Sequence, residues 1–305
     1  MLACRADPPP PAAPILNHPV EGETVRFIAM GDWGKGNDTQ REVAAGVAAV
    51  CERQGCNFVL SLGDNLYPKG AESPEDPQFQ EKFERPYAAL QQPFYLVPGN
   101  HDYGEFSLSP DKLVNEIAYT DRSRKWRMPA PFYSLQSGPV SFFALDTQAV
   151  LGGRGGPQAA WLARAISTAP GPWRIAFGHH PYISNGKHGN AGRYEGLPLI
   201  PIASGGAVKE FIEGSLCGQV DLYLCGHDHN RQWLAPTCGT EFVVSGAGAS
   251  VVPLEGRGTP TLFEEDTRPG FLWVEVMPDQ LTGVFYDSQG QESWRRQLKR
   301  PKGGS

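Results

Sequence analysis

The sequence predicts an α/β protein in which two mixed β-sheets pack together and are covered by helices. Short apolar runs alternate with helix-like segments through the first half, the pattern of βαβ units. The second half is richer in strand-like runs. Neither an internal repeat nor a domain-sized linker interrupts the chain, so one domain is expected over residues 24–300, after a Pro-rich linker at 1–23. A chain of 305 residues, 40% of them hydrophobic, can bury a substantial core.

The elements follow in order. Val25–Met30 is a mostly apolar run and reads as a buried strand. Gln40–Arg53 carries Ala and Val at helical spacing, and Phe58–Leu62 is a second strand. Gln78–Leu90 is helix-like, with Pro86 expected to break it. Phe94–Val97 is a third strand. Pro131–Leu135 and Val140–Leu145 read as an antiparallel pair joined at Ser137-Gly138. Gln158–Ser167 is a helix, Trp173–Phe177 a strand, Val208–Glu213 a short helix and Val220–Leu224 a strand. Glu241–Ser245, Phe271–Val276 and Leu281–Tyr286 complete the expected strands.

One pattern recurs at the ends of the strands. Gly31-Asp32, Gly63-Asp64, Gly99-Asn100, Gly178-His179 and Gly226-His227 each place a polar, ligand-type residue after a glycine. In open α/β sheets ligands gather outside the carboxyl ends of strands. Glycine there permits unusual backbone angles and close approach of the chain. Of the 7 histidines, all but His18 lie in or just after these strand ends: His101, His179, His180, His188, His227 and His229. A single histidine of this kind would be an ordinary surface or core residue; the set argues for one polar crevice. Asp, Asn, Tyr and neutral His together suit Zn, Fe or Mn better than calcium, which takes oxygens only. The loop Gly31-Asp32-Trp33-Gly34-Lys35-Gly36 superficially resembles a nucleotide loop, but its glycines are out of step and an Asp sits where phosphate would be repelled.

The net charge of −6 excludes a basic nucleic-acid footprint, so an anionic substrate would need a local positive centre. No apolar stretch is long enough to span a bilayer. Leu2-Ala3-Cys4 resembles the end of a bacterial lipoprotein cleavage box, so Cys4 is expected to be either a lipidated first residue or an incidental cysteine in a leader. Cys51 and Cys56 are close enough to bridge across a helix end, and Cys217 and Cys238 flank a strand pair and could meet. Cys225 reads as a buried free thiol. Two such bridges imply an oxidising compartment. The expected location is therefore exported: periplasmic, an outer-membrane lipoprotein, or secreted.

Gly31-Asp32-Trp33-Gly34, Gly63-Asp64-Asn65-Leu66-Tyr67, Gly99-Asn100-His101-Asp102, Gly178-His179 and Gly226-His227-Asp228-His229 resemble, in order, the motif blocks of the metallophosphoesterases. The Tyr three residues after Asp64 resembles the purple acid phosphatase branch, and the likeness is greatest to its small tartrate-resistant type and bacterial relatives. It runs from about Val25 to about Tyr286. The resemblance implies a four-layer sandwich of two mixed sheets flanked by helices. It implies a dinuclear centre in which Asp32, Tyr67 and His229 bind Fe(III), Asp64 bridges, and Asn100, His179 and His227 bind a second ion, Fe(II), Zn(II) or Mn(II). It places His101 and His188 as phosphate contacts and candidate general acids. Asp102 and Asp228 are expected to be structural or orienting; of His179 and His180 one should face away, because successive residues of a strand point to opposite sides, which leaves His180 either turned from the site or on the substrate rim. The implied activity is acid phosphatase action on phosphate monoesters, by attack of a metal-bound hydroxide. The alternatives are a phosphodiesterase or nucleotide pyrophosphatase of the same superfamily, or an inert metal-binding protein. A monomer acting on small phosphate esters is expected.

Overall fold

The computed structural model describes residues 13–105, 107–196 and 203–300; Cys4 and most of the Pro-rich start of the chain lie outside the described residues. Two sheets form the centre. Strands β1 (Ile15–Asn17), β6 (Tyr133–Ser137), β7 (Val140–Ala144), β8 (Trp173–Phe177), β9 (Leu222–Cys225), β10 (Arg231–Leu234), β11 (Glu241–Ser245) and β12 (Thr261–Glu265) make one, in the order β1-β6-β7-β8-β9-β11-β10-β12. Strands β2 (Val25–Met30), β3 (Phe58–Ser61), β4 (Phe94–Leu96), β5 (Trp126–Arg127), β13 (Gly270–Met277), β14 (Gln280–Asp287) and β15 (Glu292–Lys299) make the other, ordered β15-β14-β13-β2-β3-β4-β5. Both are mixed: β2, β3 and β4 run parallel, whereas β13 pairs antiparallel with β2.

Side-chain alternation explains the layering. Along β2, Phe27 and Ala29 enter the core between the sheets, while Ile28 and Met30 enter a second core on the outer face. That outer core holds Val43, Val47 and Val50 of α1 (Asp38–Gln54) with the aromatic group Trp33, Phe79, Phe83 and Trp126. On β7, Phe142 points between the sheets, and Phe143 faces a third core with Leu162 of α4 (Gly156–Ser167) and Phe211 and Ile212 of α5 (Gly206–Ser215). Strands buried on both faces read as continuous apolar runs. The result is the expected four-layer sandwich. The cystines Cys51–Cys56 and Cys217–Cys238 form and Cys225 is buried and free, as the spacing suggested. No helix among the described residues is long and apolar enough to cross a membrane.

Several elements differ from expectation. Ile15–Asn17, inside the stretch read as linker, pairs parallel with β6. Gln78–Leu90 is helical only over its first half, where residues 78–84 include the π-helical turn Gln80–Glu84, closed by Arg85 N–H to Gln80 O at 3.1 Å. Pro86 has no N–H to continue it. β10 carries Arg231, fully buried, whose guanidinium donates to the carbonyls of Tyr286 and Arg268 at 2.9 and 3.2 Å. β12 and β15 are edge strands with polar outer residues, which weakens their hydrophobic pattern. α2 (Leu113–Tyr119) and α3 (Thr147–Leu151) are too short to show helical periodicity.

Asp146 caps α3 by accepting from Ala149 N–H at 2.8 Å, and it also accepts from the Tyr103 hydroxyl at 2.6 Å. Burial pushes its carboxyl up to about 6, although the Tyr103 hydrogen bond opposes the rise. A raised carboxyl binds its proton in the folded state first, so its contribution is fully present below the unfolded value near 3.9 and is lost as pH rises through about 6. Asp146→Asn keeps a cap and removes the titration. The stability of the native chain relative to this variant should fall by up to about 3 kcal/mol between about pH 4 and pH 6.5. Parallel melting curves for the two proteins across that range would refute this assignment.

Candidate metal centre

All five Gly-plus-ligand corners reach one place. β2, β3 and β4 deliver Asp32, Asp64 and Asn100 from one sheet, and β8 and β9 deliver His179 and His227 from the other. The glycines serve mainly close approach. A Cβ at Gly99 would lie 2.2 Å from Asp64 Oδ1, and one at Gly226 would lie 2.4 Å from Asp32 Oδ2. Gly63 alone of the five has a positive φ, +89°, and a Cβ there would meet His179 Nδ1 at 2.6 Å. Unusual backbone angles sit instead on the side-chain donors: Asp32, Asp64 and His227 hold φ of 61°, 56° and 69°. Non-glycine residues occupy this left-handed region at a cost and cluster at functional sites.

Asp32, Asp64 and His179 form a fully buried group whose donor atoms lie within 4.8 Å of one another. Around them, Tyr67 Oη is 2.8 Å from Asp64 Oδ2, 3.2 Å from Asp32 Oδ1 and 3.1 Å from His229 Nε2. His179 Nε2 is 3.0 Å from Asn100 Oδ1, 3.1 Å from His227 Nδ1 and 3.4 Å from Asp64 Oδ1. The seven donors expected from the sequence therefore meet, with Asp64 touching both groups. His101 and His188 flank them. The His101 ring lies 4.2 Å from that of Tyr67, with Nε2 3.8 Å from Asp64 Oδ2, and the His188 ring stacks on His227 at 3.9 Å.

The chemistry of this donor set fits a pair of cations. His179 Nδ1–H donates to Leu62 O at 2.9 Å, so Nε2 turns its lone pair toward Asn100 Oδ1, Asp64 Oδ1 and His227 Nδ1. His229 Nδ1 lies 3.0 Å from Ser250 Oγ, and its Nε2 faces Asp32 Oδ1 at 3.4 Å and Tyr67 Oη at 3.1 Å. Acceptors facing acceptors in a buried place call for positive charge between them. Burial lowers the His179 imidazole, but the Asp64 and Asp32 carboxylates outweigh it and hold the group above its ordinary value. Burial would raise Asp64, yet His179 and His101 bring it below the usual carboxylate range. With only protein groups nearby, burial and then the Asp64 and Asp32 carboxylates push the Tyr67 phenol well up.

The supporting contacts were only partly legible beforehand. Asp102 lies beneath the donors, where its carboxylate accepts from the N–H groups of Gly99, Asn65 and Leu66 at 2.7, 2.8 and 3.1 Å. It thereby ties the Asp64 corner to the Asn100 corner. Asp228 turns away and accepts from Ser184 Oγ and from His188 N–H at 2.8 Å, anchoring the loop that carries His188. His180 is not a donor but stays beside the site: its ring lies 4.7 Å from that of His227, it lines the adjoining cavity with Asn100 and His188, and its Nδ1 is 2.8 Å from Thr147 Oγ1. Lys35 was missed, although it sits in the loop considered and rejected for nucleotide binding. Its Nζ donates to Ser250 Oγ at 2.7 Å and lies 4.8 Å from the Tyr67 ring centroid. Glu195, hydrogen-bonded to His188 Nδ1, left no signal in the sequence because its backbone turn is irregular, with φ 54°.

Comparison with known proteins adds independent findings. The family model described as calcineurin-like phosphoesterase matches residues 25–231. The chain is 32% identical to tartrate-resistant acid phosphatase type 5 of Oryctolagus cuniculus, over 92% of this chain and 92% of that protein. It is 30% identical to purple acid phosphatase 4 of Arabidopsis thaliana, over 91% of this chain and 84% of that one. Among solved structures, GAP50, described as the anchor in the inner membrane complex of Plasmodium, superposes with a TM-score of 0.73 at 20% identity, over 92% and 90% of the two chains. A dimetal phosphatase from Danio rerio superposes with a TM-score of 0.56 at 13% identity, over 90% and 98%. At those identities the structural likeness concerns the fold.

Proposed function

Because this chain belongs to the calcineurin-like phosphoesterases and is an enzyme of metal-dependent phosphoester hydrolysis, we propose that it is an acid phosphatase of phosphate monoesters working with a dinuclear Fe(III)–M(II) centre, M being Fe, Zn or Mn. The observation that carries this reading is the convergence of His179 Nε2 with Asn100 Oδ1 at 3.0 Å, His227 Nδ1 at 3.1 Å and Asp64 Oδ1 at 3.4 Å, beside Asp32, Tyr67 and His229. Asp32, Tyr67 and His229 would hold the ferric ion, Asn100, His179 and His227 the divalent ion, and Asp64 both. When bound, such a pair holds a phosphate and acidifies a water to make the nucleophile.

The chain's own groups do the rest. His101 donates Nδ1–H to Pro68 O at 2.6 Å, which leaves Nε2 for a phosphate oxygen. His188 gives its Nδ1–H to Glu195, so that in its imidazolium form the Nε2–H would pass a proton to the departing alkoxide and leave a neutral ring. Gly99, Asn65 and Leu66 N–H groups fix Asp102 and so keep the Asp64 and Asn100 corners at constant separation. A related fold serves as an anchor, but anchoring alone would not need all seven donors to converge. Two bridged cystines support export to an oxidising compartment, where the enzyme would act as a monomer on small esters.

Hydrolysis of p-nitrophenyl phosphate well above that of its bis ester supports the monoesterase; the reverse preference identifies a diesterase instead. Tyr67→Phe tests the ferric assignment. Protein from its native host should show a visible ferric–phenolate band that is absent in the variant, and a band unchanged by the substitution refutes Tyr67 as the ferric ligand.

A further inference from the structure

A cavity of about 320 Å³ opens beside Asn100 and His227, on the side where His188 stands. Any group attached to a phosphate held by those residues would extend into it. Its outer wall is Glu105, Leu108, Gln148, Leu151 and Glu195, and no Lys or Arg lines it among the described residues. Gln148 is 3% exposed; its Nε2 donates to Ser107 O at 3.1 Å, which fixes the amide, and its Oε1 is buried without a donor among the described residues. A buried acceptor left in this condition costs about 1–3 kcal/mol unless something donates to it. Glu195 uses one carboxylate oxygen on His188 Nδ1. Glu105 and Glu195 both hold left-handed backbone, φ 66° and 54°, on separate loops that converge on this cavity.

Three acceptors, two of them carboxylates, set among two leucines do not suit a leaving group bearing further phosphates. They suit a short aliphatic chain ending in a donor-rich cation. Resting on the phosphatase reading above, we propose that this cavity is a leaving-group subsite selecting phosphate monoesters of amino alcohols, whose ammonium group is received by Glu105, Glu195 and Gln148 Oε1. Polyanionic esters, nucleoside di- and triphosphates among them, are rejected by the same carboxylates.

The test compares kcat/KM for O-phosphoethanolamine, n-propyl phosphate and phosphoglycolate, whose tails are of similar size and are cationic, neutral and anionic. Assays run at about pH 6, above the ordinary carboxylate range. The metal-loaded native enzyme should prefer them in that order. The phosphoethanolamine-to-propyl ratio should drop roughly two- to fivefold in Glu105→Gln, the size expected for a partly exposed ion pair. Comparing ratios between proteins cancels the intrinsic reactivity of each ester. Gln148→Leu should lower the same ratio and is read alone if the Glu105 variant does not fold. An unchanged ratio in the folded variants, or a native preference for phosphoglycolate, overturns the subsite. If p-nitrophenyl phosphate and all three esters go unhydrolysed, the phosphatase reading falls and the subsite with it. Turnover without discrimination removes the subsite alone.

Discussion

Asp64→Asn is expected to abolish turnover and to strip metal from the protein. Asp64 spans both donor groups, with Oδ2 2.8 Å from Tyr67 Oη and Oδ1 3.4 Å from His179 Nε2. It is 1% exposed, and Oδ1 also accepts from His101 N–H at 3.0 Å. Asparagine reproduces the shape and that hydrogen bond, so the corner should still fold. What disappears is one negative charge between two cation sites. At roughly 4 Å and an effective dielectric near 20, a charge pair is worth about 4 kcal/mol, or on the order of 10³ in an equilibrium or a rate, for each ion. Metal content by mass spectrometry and kcat on p-nitrophenyl phosphate should fall together while the melting curve stays cooperative. A variant that retains two metals and near-native kcat would refute the bridging role.

His188→Ala is expected to lower kcat by roughly 10²–10⁴ on alkyl phosphates. The ring is held in place by stacking on His227, by the Asp228 contact to its backbone N–H and by Glu195 at Nδ1. These restraints leave Nε2 as the free nitrogen, and in the imidazolium form its N–H suits donation to a departing alkoxide. Alkoxides are strong bases and need that proton; p-nitrophenolate does not. The loss should therefore be large on an alkyl ester and small on p-nitrophenyl phosphate. Equal losses on both esters would make His188 a phosphate contact, and would move the acid role to His101, tested in the same way by His101→Ala.

Asp64 was reachable from sequence because ligand type and strand end coincide there, whereas His188, in a loop beyond β8, was reached only through the family resemblance. An apolar run followed by glycine and then Asp, Asn or His needs no three-dimensional information to be seen. The runs over Val25–Met30, Trp173–Phe177 and Glu241–Ser245 gave their strands outright, since strands covered on both faces carry an unbroken apolar signal. Arg231 hid β10, because the charge in that strand is satisfied by carbonyls from Tyr286 and Arg268, far along the chain. Ile15–Asn17 was hidden because an edge strand of three residues gains its stability from the partner β6.

The sequence by itself determined the layered α/β architecture, the family resemblance and the identity of the candidate donors, since each is written in local pattern and residue type; it suggested the two cystine pairings, which the structure then formed. Tertiary structure alone decided that His179 spends Nδ1 on the Leu62 carbonyl, that Asp32, Asp64 and His227 carry the left-handed backbone, and that Glu105, Gln148 and Glu195 share one cavity. Those facts arise where loops from two different sheets approach within hydrogen-bonding distance. Such approach depends on packing between segments remote in sequence, and no local pattern encodes it.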